Sequence, residues 1–346
     1  MAWAMLHPAA ERSVFDRRVE EVARSERPGA SSRKTRVAGS PGDGRGWTAL
    51  QPLSIACDAA MDKPVFRFAP SPNGELHLGH AFSALVGYER ACAAGGRFLV
   101  RIEDIDKGRA RARYVAGILA DLAWLGVAWE EPVVFQSRRL PAYRAQSERL
   151  ERMGLLYPCF ATRAEIAAAS RGRDPDGGPL YLGLYRGRAP AEIARRRAAG
   201  EPYALRLDMA AAIGAAAVKL ASSALRFVEL DEDGRPQTIE TRPERWGDAV
   251  IVRKDAPASY HLAVVIDDAW QGVSHVTRGR DLYAATDLHR LLQVLLGLPA
   301  PVYHHHRLIT DAAGRKLAKS ARDTSLRSLR EGGVTPMDIR RLIGLA

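Results

Sequence analysis

The sequence has no long hydrophobic run and very little cysteine. None of its apolar stretches approaches the roughly 18 residues that a membrane-spanning helix needs. Its first residues lack a compact apolar core followed by a small-residue cleavage site, so secretion is not expected. The three cysteines, Cys57, Cys92 and Cys159, are widely separated, which argues against a disulfide framework. We therefore expect a cytoplasmic protein.

Acidic residues are fewer than basic ones. The chain carries 40 Asp and Glu against 51 Lys and Arg, a formal net charge of +11. This balance suits a polyanionic partner such as a nucleic acid, although many basic proteins bind none. A length of 346 residues and a hydrophobic fraction of 47% allow two domains, or one large domain with an insertion.

Residues 1–62 differ in composition from the rest of the chain. Two stretches, 27–34 and 39–46, are dominated by Gly, Pro, Ser and charged residues, and apolar periodicity is weak. A segment of this kind cannot bury enough apolar surface to fold by itself. We predict a disordered N-terminal extension over 1–62, with at most a short helix over about 9–24.

Residues 65–80 predict a ligand site. An apolar run over 65–68 is typical of a buried strand, a turn rich in Pro and Gly follows, and His77 opens a helix. Unpaired N–H groups and the positive end of the helix dipole then face the turn, which favours anion binding. His80 adds a second imidazole, and Gly79 lets a flat group approach the backbone. Seen alone, two histidines at a helix start are more often ordinary surface or core residues.

A second strand over 97–102 is followed by an acidic cluster that begins at Glu103. Helices are predicted over about 110–125 and 139–153, which completes the β-α-β-α units of a doubly wound α/β fold. Ligands in such folds bind beyond the carboxyl ends of the parallel strands. The acidic cluster and the helix that starts at His77 should therefore meet there, although the carboxylates could also form a solvated strand end.

The rest of the chain predicts an insertion and a return to the sheet. Residues 157–246 combine short helices with loops rich in Gly, Pro and Asp, which we interpret as an inserted α+β subdomain. Strands are predicted at 248–253, 273–278 and 302–309, and a helix at 285–296. The predicted limits are 63–156 and 247–310 for the two halves of the α/β domain, 157–246 for the insertion, and 311–346 for a basic loop with a short helical tail.

A basic loop, Lys-Leu-Ala-Lys-Ser at 316–320, follows a turn at 311–314. Lys316 and Lys319 could close over a triphosphate, where their charge would stabilise the negative charge that builds up on the phosphates. Alone the signal is weak, because pairs of surface lysines are common.

Two separated strings resemble the signatures of the class I aminoacyl-tRNA synthetases. Arg-Phe-Ala-Pro-Ser-Pro-Asn-Gly-Glu-Leu-His-Leu-Gly-His at 67–80 is similar to the first signature in its glutamate branch. The loop at 316–320 is similar to the second, usually Lys-Met-Ser-Lys-Ser. The resemblance implies a Rossmann-like doubly wound parallel sheet. It also implies ATP binding by Pro70, His77, Gly79, His80 and Lys319, and catalytic roles for His77, His80, Lys316 and Lys319.

The family's glutamate-binding positions correspond to Arg67, Ala69, Ser71, Glu103, Tyr260 and Arg278. The physical chemistry agrees, because two arginines offer fork-shaped donors to the two carboxylates of glutamate. Glu103 would supply a counter-charge for the ammonium group. Each residue also has a structural alternative: Arg278 could be a surface arginine, and Tyr260 a core aromatic.

The reaction implied by the resemblance is adenylation of L-glutamate by ATP, with Mg²⁺ carried on the phosphates. The chain ends soon after the basic loop, whereas a full glutamyl-tRNA synthetase continues into an anticodon-binding half. The shorter branch of the family, the glutamyl-queuosine tRNA(Asp) synthetases, transfers glutamate to queuosine in the anticodon. We therefore expect L-glutamate, ATP and queuosine-bearing tRNA(Asp) as partners of a monomer. The alternatives are a truncated glutamyl-tRNA synthetase, a small-molecule nucleotidyltransferase and a non-catalytic RNA-binding paralogue.

Two possible metal sites are weak in this sequence. Relatives often hold zinc in the insertion through a Cys-x-Cys pair and a later Tyr-x-x-x-Cys, but here only Cys159 keeps a ligand position. A structural zinc needs four good ligands, so we predict that the zinc site is lost and that Phe160, Tyr181 and Tyr185 pack in its place. The run 304–306 of three histidines is interpreted as a strand end near the nucleotide, because alternate residues of a strand face opposite sides.

Overall fold

The structure, a computed structural model, describes residues 63–222, 224–310 and 324–345. The strands are β1 (Val65–Phe68), β2 (Arg97–Ile102), β3 (Glu130–Phe135), β4 (Leu156–Cys159), β5 (Ala204–Leu207), β6 (Arg226–Leu230), β7 (Pro236–Glu240), β8 (Val250–Val252), β9 (His275–Gly279) and β10 (Val302–His306). The helices are α1 (Leu78–Ala93), α2 (Ala112–Trp124), α3 (Leu140–Arg152), α4 (Arg163–Ala169), α5 (Pro190–Ala198), α6 (Met209–Leu220), α7 (Tyr260–Trp270), α8 (Ala285–Leu296), α9 (Leu326–Glu331) and α10 (Pro336–Ile343). The predicted extension over 1–62 and the basic loop lie outside the described residues.

A seven-stranded sheet in the order β3-β2-β1-β9-β10-β6-β7 organises the fold. All neighbouring pairs are parallel except β6 with β7. From β1 the chain moves outward to β2 and β3, whereas β9 and β10 lie on the other side of β1. The strand order therefore reverses between β1 and β9, and a crevice at the carboxyl ends of these strands is expected. The doubly wound α/β fold predicted from the sequence is confirmed.

The two faces of β1 have different partners. Phe66 and Phe68 point into a core that contains α1, α2, α9 and α10. The intervening Arg67 contacts Asp268 of α7 on the opposite face, as the two-residue period of a strand requires. A second, larger core joins α3, α6, α7 and α8. The sheet thus holds Arg67 between two packed layers, where its side chain has little freedom to move.

The helix bounds agree closely with the sequence pattern. The helices predicted over about 110–125, 139–153 and 285–296 correspond to α2, α3 and α8. Within the described residues 324–345, the predicted short helical tail contains the helices α9 and α10. Helix α6 was missed, because its alanine-rich sequence has little contrast between apolar and polar faces. No helix in the described part of the chain is long and apolar enough to span a membrane.

The strands of the insertion pair differently from the prediction. Strand β8, expected to return to the main sheet at 248–253, instead pairs with β5 in a separate three-stranded sheet, β4-β5-β8. The hairpin of β6 and β7, expected within the insertion, extends the main sheet beside β10. Phe227 explains this, since it is buried against Tyr303 of β10. The proposed domain limits themselves stay predictions.

Candidate active site

A cavity of about 480 Å³ opens at the carboxyl ends of the strands, where the strand order reverses. Its walls come from the segments that follow β1, β2, β9 and β10 and from the start of α1. All the described residues that were predicted to bind a ligand line it: Arg67, Ala69, Pro70, Ser71, His77, Gly79, His80, Glu103, Tyr260 and Arg278. Lys316 and Lys319 lie outside the described residues, and the roles of the whole set stay predictions.

A second cavity, of about 450 Å³, lies beside α6 and the end of β7. None of the predicted site residues lines it. Its volume is similar, so size does not distinguish the two cavities. The candidate site is chosen by its chemistry, namely charged groups that converge at a helix start and at strand ends.

A buried ion cluster holds the first arginine. Nε of Arg67 donates to Oδ1 of Asp268 at 3.1 Å, and Nη2 donates to Oδ2 at 3.4 Å. Arg101, which is fully buried, donates from Nη1 to Oδ1 of Asp268 at 2.7 Å. Burial opposes the charge on Asp268, but the two guanidinium groups outweigh it and lower the pKa of this carboxyl. Asp268 thus orients Arg67 at the cavity wall.

Glu103 extends this cluster into the cavity. Its Oε1 accepts a long hydrogen bond of 3.5 Å from Nη2 of Arg101. Burial raises the pKa of Glu103 to about 7, and the nearby Asp268 acts in the same direction, while Arg101 and Arg67 oppose the rise. A carboxyl with this pKa changes charge near neutral pH, so a cationic ligand group beside it would favour the ionised form.

Arg278, the second arginine, has a different environment. Its Nε donates to His305 at 3.1 Å, Nη1 to Nδ1 of His289 at 3.2 Å, and Nη2 to Oγ1 of Thr286 at 2.7 Å. The hydroxyl of Tyr260 lies 3.5 Å from Nη1. Among the described residues, no carboxylate forms an ion pair with Arg278. A buried guanidinium held by uncharged partners keeps its charge available for an anionic ligand.

The start of α1 forms a cap from two imidazoles. Nδ1 of His77 accepts from the backbone N–H of Gly79 at 3.1 Å, and Nδ1 of His80 accepts from the backbone N–H of His77 at 3.2 Å. The rings lie 3.9 Å apart between centroids. A Cβ at Gly79 would stand 3.0 Å from the ring of His77, so any other residue here would require this ring to shift by a few tenths of an ångström. The helix start predicted as an anion site therefore lies in the cavity wall.

The acidic cluster after β2 does not act as one group. Only Glu103 lines the cavity. Asp104 instead accepts from the backbone N–H and the hydroxyl of Ser137, at 2.7 and 2.6 Å. Asp106 pairs with Arg109. The expectation that this cluster meets the start of α1 is thus met by Glu103 alone among the three carboxylates, and its role as a ligand stays a prediction.

Several residues of the site were not found from the sequence. They share a position behind the cavity wall, and they are Arg101, Asp268, Thr286, His289 and Glu229. A charged residue inside an apolar helix or strand was the one available signal: Asp268 follows the run 262–266, and Arg101 lies in the buried strand β2. A buried charge requires a partner, but the local sequence pattern does not identify which residue that partner is.

The three consecutive histidines have separate partners. Nδ1 of His304 lies 2.9 Å from the carbonyl oxygen of Leu230, and Nδ1 of His305 lies 2.8 Å from Glu229. His306 lines the cavity. Within the described residues, no group of three metal-ligating side chains is arranged to hold a metal ion. The interpretation of this run as a strand end beside the ligand cavity agrees with the place of His306.

The insertion packs around aromatic residues where relatives were expected to bind zinc. Cys159, Phe160, Tyr181 and Tyr185 form one buried cluster, as predicted. The hydroxyl of Tyr181 lies 3.3 Å from Sγ of Cys159 and accepts from the backbone N–H of Tyr185 at 2.8 Å. One thiol among aromatic rings does not provide the four ligands of a structural zinc.

We therefore predict that the purified protein contains no stoichiometric zinc and keeps its stability when zinc is removed. Elemental analysis and thermal melts with and without a chelator test this. One zinc per chain, or a melting temperature that falls on chelation, would contradict the prediction. A short zinc-finger peptide, which unfolds without its metal, is a suitable positive control.

The model of the family "tRNA synthetases class I (E and Q), catalytic domain" matches residues 64–346. The chain belongs to this family of class I aminoacyl-tRNA synthetases. It is 48% identical over 291 residues to a glutamyl-Q tRNA(Asp) synthetase of Rhodobacter capsulatus, a match that covers 81% of this chain and 100% of the relative. It is 40% identical to the protein of the same name in Symbiobacterium thermophilum, over 78% of this chain and 82% of that protein.

Longer members of the class I family match over part of their length. A glutamate–tRNA ligase of a Synechococcus strain is 35% identical over 81% of this chain and 56% of its own length. The solved glutamate–tRNA synthetase of Elizabethkingia anophelis superposes with a TM-score of 0.60 at 27% identity. That match covers 79% of this chain, which spans about half, 54%, of the solved one. The class I catalytic fold is thus shared with enzymes that carry additional regions.

Proposed function

We propose that this protein activates L-glutamate with ATP and transfers the glutamyl group to queuosine in the anticodon of tRNA(Asp). The observation that carries the proposal is one cavity with two buried arginines, a carboxylate and a helix start on its walls. The similarity to two glutamyl-Q tRNA(Asp) synthetases, one of them over its whole length, supports the choice of acceptor.

In the proposed reaction, Arg67 and Arg278 bind the two carboxylates of glutamate and Glu103 faces its ammonium group. The start of α1, with Gly79, His77 and His80, receives ATP, whose phosphates carry Mg²⁺. The α-carboxylate of glutamate then attacks the α-phosphorus in line, and pyrophosphate leaves. Fixed donors beside the reacting groups lower the barrier through positioning and charge stabilisation. Lys316 and Lys319 would stabilise the phosphates as the adenylate forms.

In the second step, a hydroxyl of the RNA acceptor attacks the glutamyl carbonyl carbon and gives up its proton, and AMP leaves as the bond between this carbon and the phosphate oxygen breaks. The single-stranded anticodon loop offers bases that a protein can recognise one by one, and the net charge of +11 would attract its phosphates. The sparse cysteines support a cytoplasmic location, and we propose that the protein acts as a monomer.

Radiolabelled glutamate with ATP and tRNA(Asp), with and without queuosine, tests the proposal. We expect label only on the queuosine-containing tRNA, and only in the anticodon fragment after limited nuclease cleavage. Label in the 3′ fragment of tRNA(Glu) would identify a truncated glutamyl-tRNA synthetase instead. No glutamate-dependent exchange between ATP and pyrophosphate, together with no transfer, would favour a binding paralogue.

Glutamate binding should release protons near neutral pH. Burial raises the pKa of Glu103 to about 7, so this carboxyl is partly protonated near neutral pH in the free protein, and the substrate ammonium favours the carboxylate. Because Glu103 is neutral below its pKa, glutamate binding should weaken as the pH falls, by roughly tenfold between pH 8 and pH 6. Calorimetry at pH 7 in two buffers with different ionisation enthalpies should show net proton release on glutamate binding.

The variant Glu103→Gln is the control for this titration. It should bind glutamate weakly, with no proton release and no change of affinity over the same pH range. Release of no protons by the wild-type protein would contradict the assignment of Glu103 to the ammonium group.

A further inference from the structure

The uncharged partners of Arg278 form a closed ring of hydrogen bonds. Nε of Arg278 and Oγ1 of Thr286 both lie within hydrogen-bond distance of Nε2 of His305, at 3.1 and 3.2 Å. Nη2 of Arg278 donates to Oγ1 of Thr286 at 2.7 Å. An arginine N–H can only donate, so Nε2 of His305 must accept from Arg278, and the Thr286 hydroxyl, which accepts from Nη2, must in turn donate to Nε2. Nε2 of His305 must therefore carry no hydrogen.

Glu229 fixes the tautomer of His305 that this ring of hydrogen bonds requires. Its Oε1 accepts from the backbone N–H of His305 at 2.9 Å, and its Oε2 lies 2.8 Å from Nδ1 of the same ring. A carboxylate only accepts, so Nδ1 must carry the hydrogen and Nε2 is left as the acceptor. Burial lowers the pKa of His305 to about 4; Arg278 acts in the same direction, and Glu229 opposes it. The imidazole of His305 is therefore neutral at pH 7.

Glu229 itself stands outside the cavity. It lies on β6, where it is paired in register with Tyr303 of β10, and neither Glu229 nor His305 is among the residues that line the cavity. Because it does not line the cavity, it would act on a substrate bound there only indirectly, through His305 and Arg278.

We propose that Glu229 is a positioning residue: it fixes the tautomer of His305, which in turn aims the guanidinium of Arg278 at the amino-acid substrate. This inference rests on the proposed activation of glutamate. It assigns a role in substrate selection to the β6–β7 hairpin, which adds two strands to the edge of the sheet.

Replacement of Glu229 by glutamine is the sharpest test, because it preserves shape and removes one acceptor. The amide oxygen must face the backbone N–H of His305, since that hydrogen cannot move. The amide NH₂ then faces Nδ1 and forces the hydrogen onto Nε2. Nε2–H would point at the N–H of Arg278 and at the Thr286 hydroxyl, so the ring would break.

We expect Glu229→Gln to raise the Michaelis constant for glutamate by about ten- to hundredfold in ATP–pyrophosphate exchange. The Michaelis constant for ATP and the turnover number at saturating glutamate should stay within about threefold of wild type, as for a loss of uniform binding. The preference for glutamate over glutamine should fall. Glu229→Asp, which keeps the charge and the acceptors, should recover part of the affinity. Thr286→Val, which removes the hydroxyl that contacts both Arg278 and His305, should raise the Michaelis constant for glutamate to a similar extent.

Glu240→Gln on β7 is the matched control, because it makes the same change on an exposed residue of the same hairpin. An unchanged Michaelis constant for glutamate in both Glu229→Gln and Thr286→Val would overturn the inference. Equal increases of the Michaelis constants for glutamate and for ATP would overturn it as well. These results are distinct from failure of the proposed function. In that case the wild-type protein itself would show no exchange with glutamate and no glutamate binding by calorimetry, and both proposals would fall.

Discussion

Replacement of Arg278 by lysine should raise the Michaelis constant for glutamate by about a hundredfold or more, while the ATP constant changes little. The guanidinium makes hydrogen bonds from three of its nitrogens at once, to His305, His289 and Thr286. A lysine ammonium has neither the planar fork nor the reach to satisfy these partners and a substrate carboxylate together. Hydrogen bonds to a charged group are worth about 1.5–3 kcal/mol each, and each 1.4 kcal/mol is about tenfold in affinity, so the loss of two of them exceeds a hundredfold.

Arg280→Lys is the matched control for this measurement. Arg280 lies two residues further along the chain, is exposed, and does not line the cavity. It should leave both Michaelis constants unchanged in ATP–pyrophosphate exchange. A Michaelis constant for glutamate within about threefold of wild type in Arg278→Lys would show that the positive charge alone binds glutamate, and that the geometry of the guanidinium fork does not matter.

The residues that touch the cavity could be predicted because they lie in short contiguous strings. The sequence 65–80 contains its own strand, turn and helix start, and each of these elements leaves a local signature. The structure brings Glu103 and Arg278 to the same cavity, as the rule for parallel sheets leads one to expect, whereas Tyr260 reaches it from the start of α7.

The residues behind the cavity could not be predicted in the same way. Arg67 and Asp268 are 201 positions apart, and Glu229 and His305 are 76 positions apart. Nothing in the local pattern of α7 or β6 names these partners, because a buried charge signals only that some partner exists. The pairing of β8 with β5 was missed for a related reason. Strands of three to five residues are too short for their pattern to select one sheet over another.

The largest loss of stability is expected from Asp268→Asn. Asp268 is buried on α7, where it accepts hydrogen bonds from both Arg67 and Arg101. The amide has no charge, so two buried guanidinium groups would lose their main counter-charge. Breaking a buried pair by removal of one partner costs about 3–5 kcal/mol, a large part of the stability of a typical domain. Urea denaturation followed by circular dichroism measures the change in the free energy of unfolding.

Asp255→Asn is the matched control, since it breaks an ion pair whose carboxylate is 66% exposed and should cost less than about 1 kcal/mol. If Asp268→Asn lowers the free energy of unfolding by no more than Asp255→Asn does, the buried ion cluster is not needed for the fold.

A second substitution separates charge from packing. If the loss of stability in Asp268→Asn comes from uncompensated charge, Arg101→Met in the same background should restore part of it, because one of the two cations that lose Asp268 is then gone. Additive losses would instead point to packing around Asp268. Arg67 remains in the double variant without its partner at 3.1 Å, so glutamate binding should stay weak even where stability returns. Recovery of stability without recovery of affinity would separate the two tasks of Asp268: it neutralises buried charge, and it aims Arg67 into the cavity.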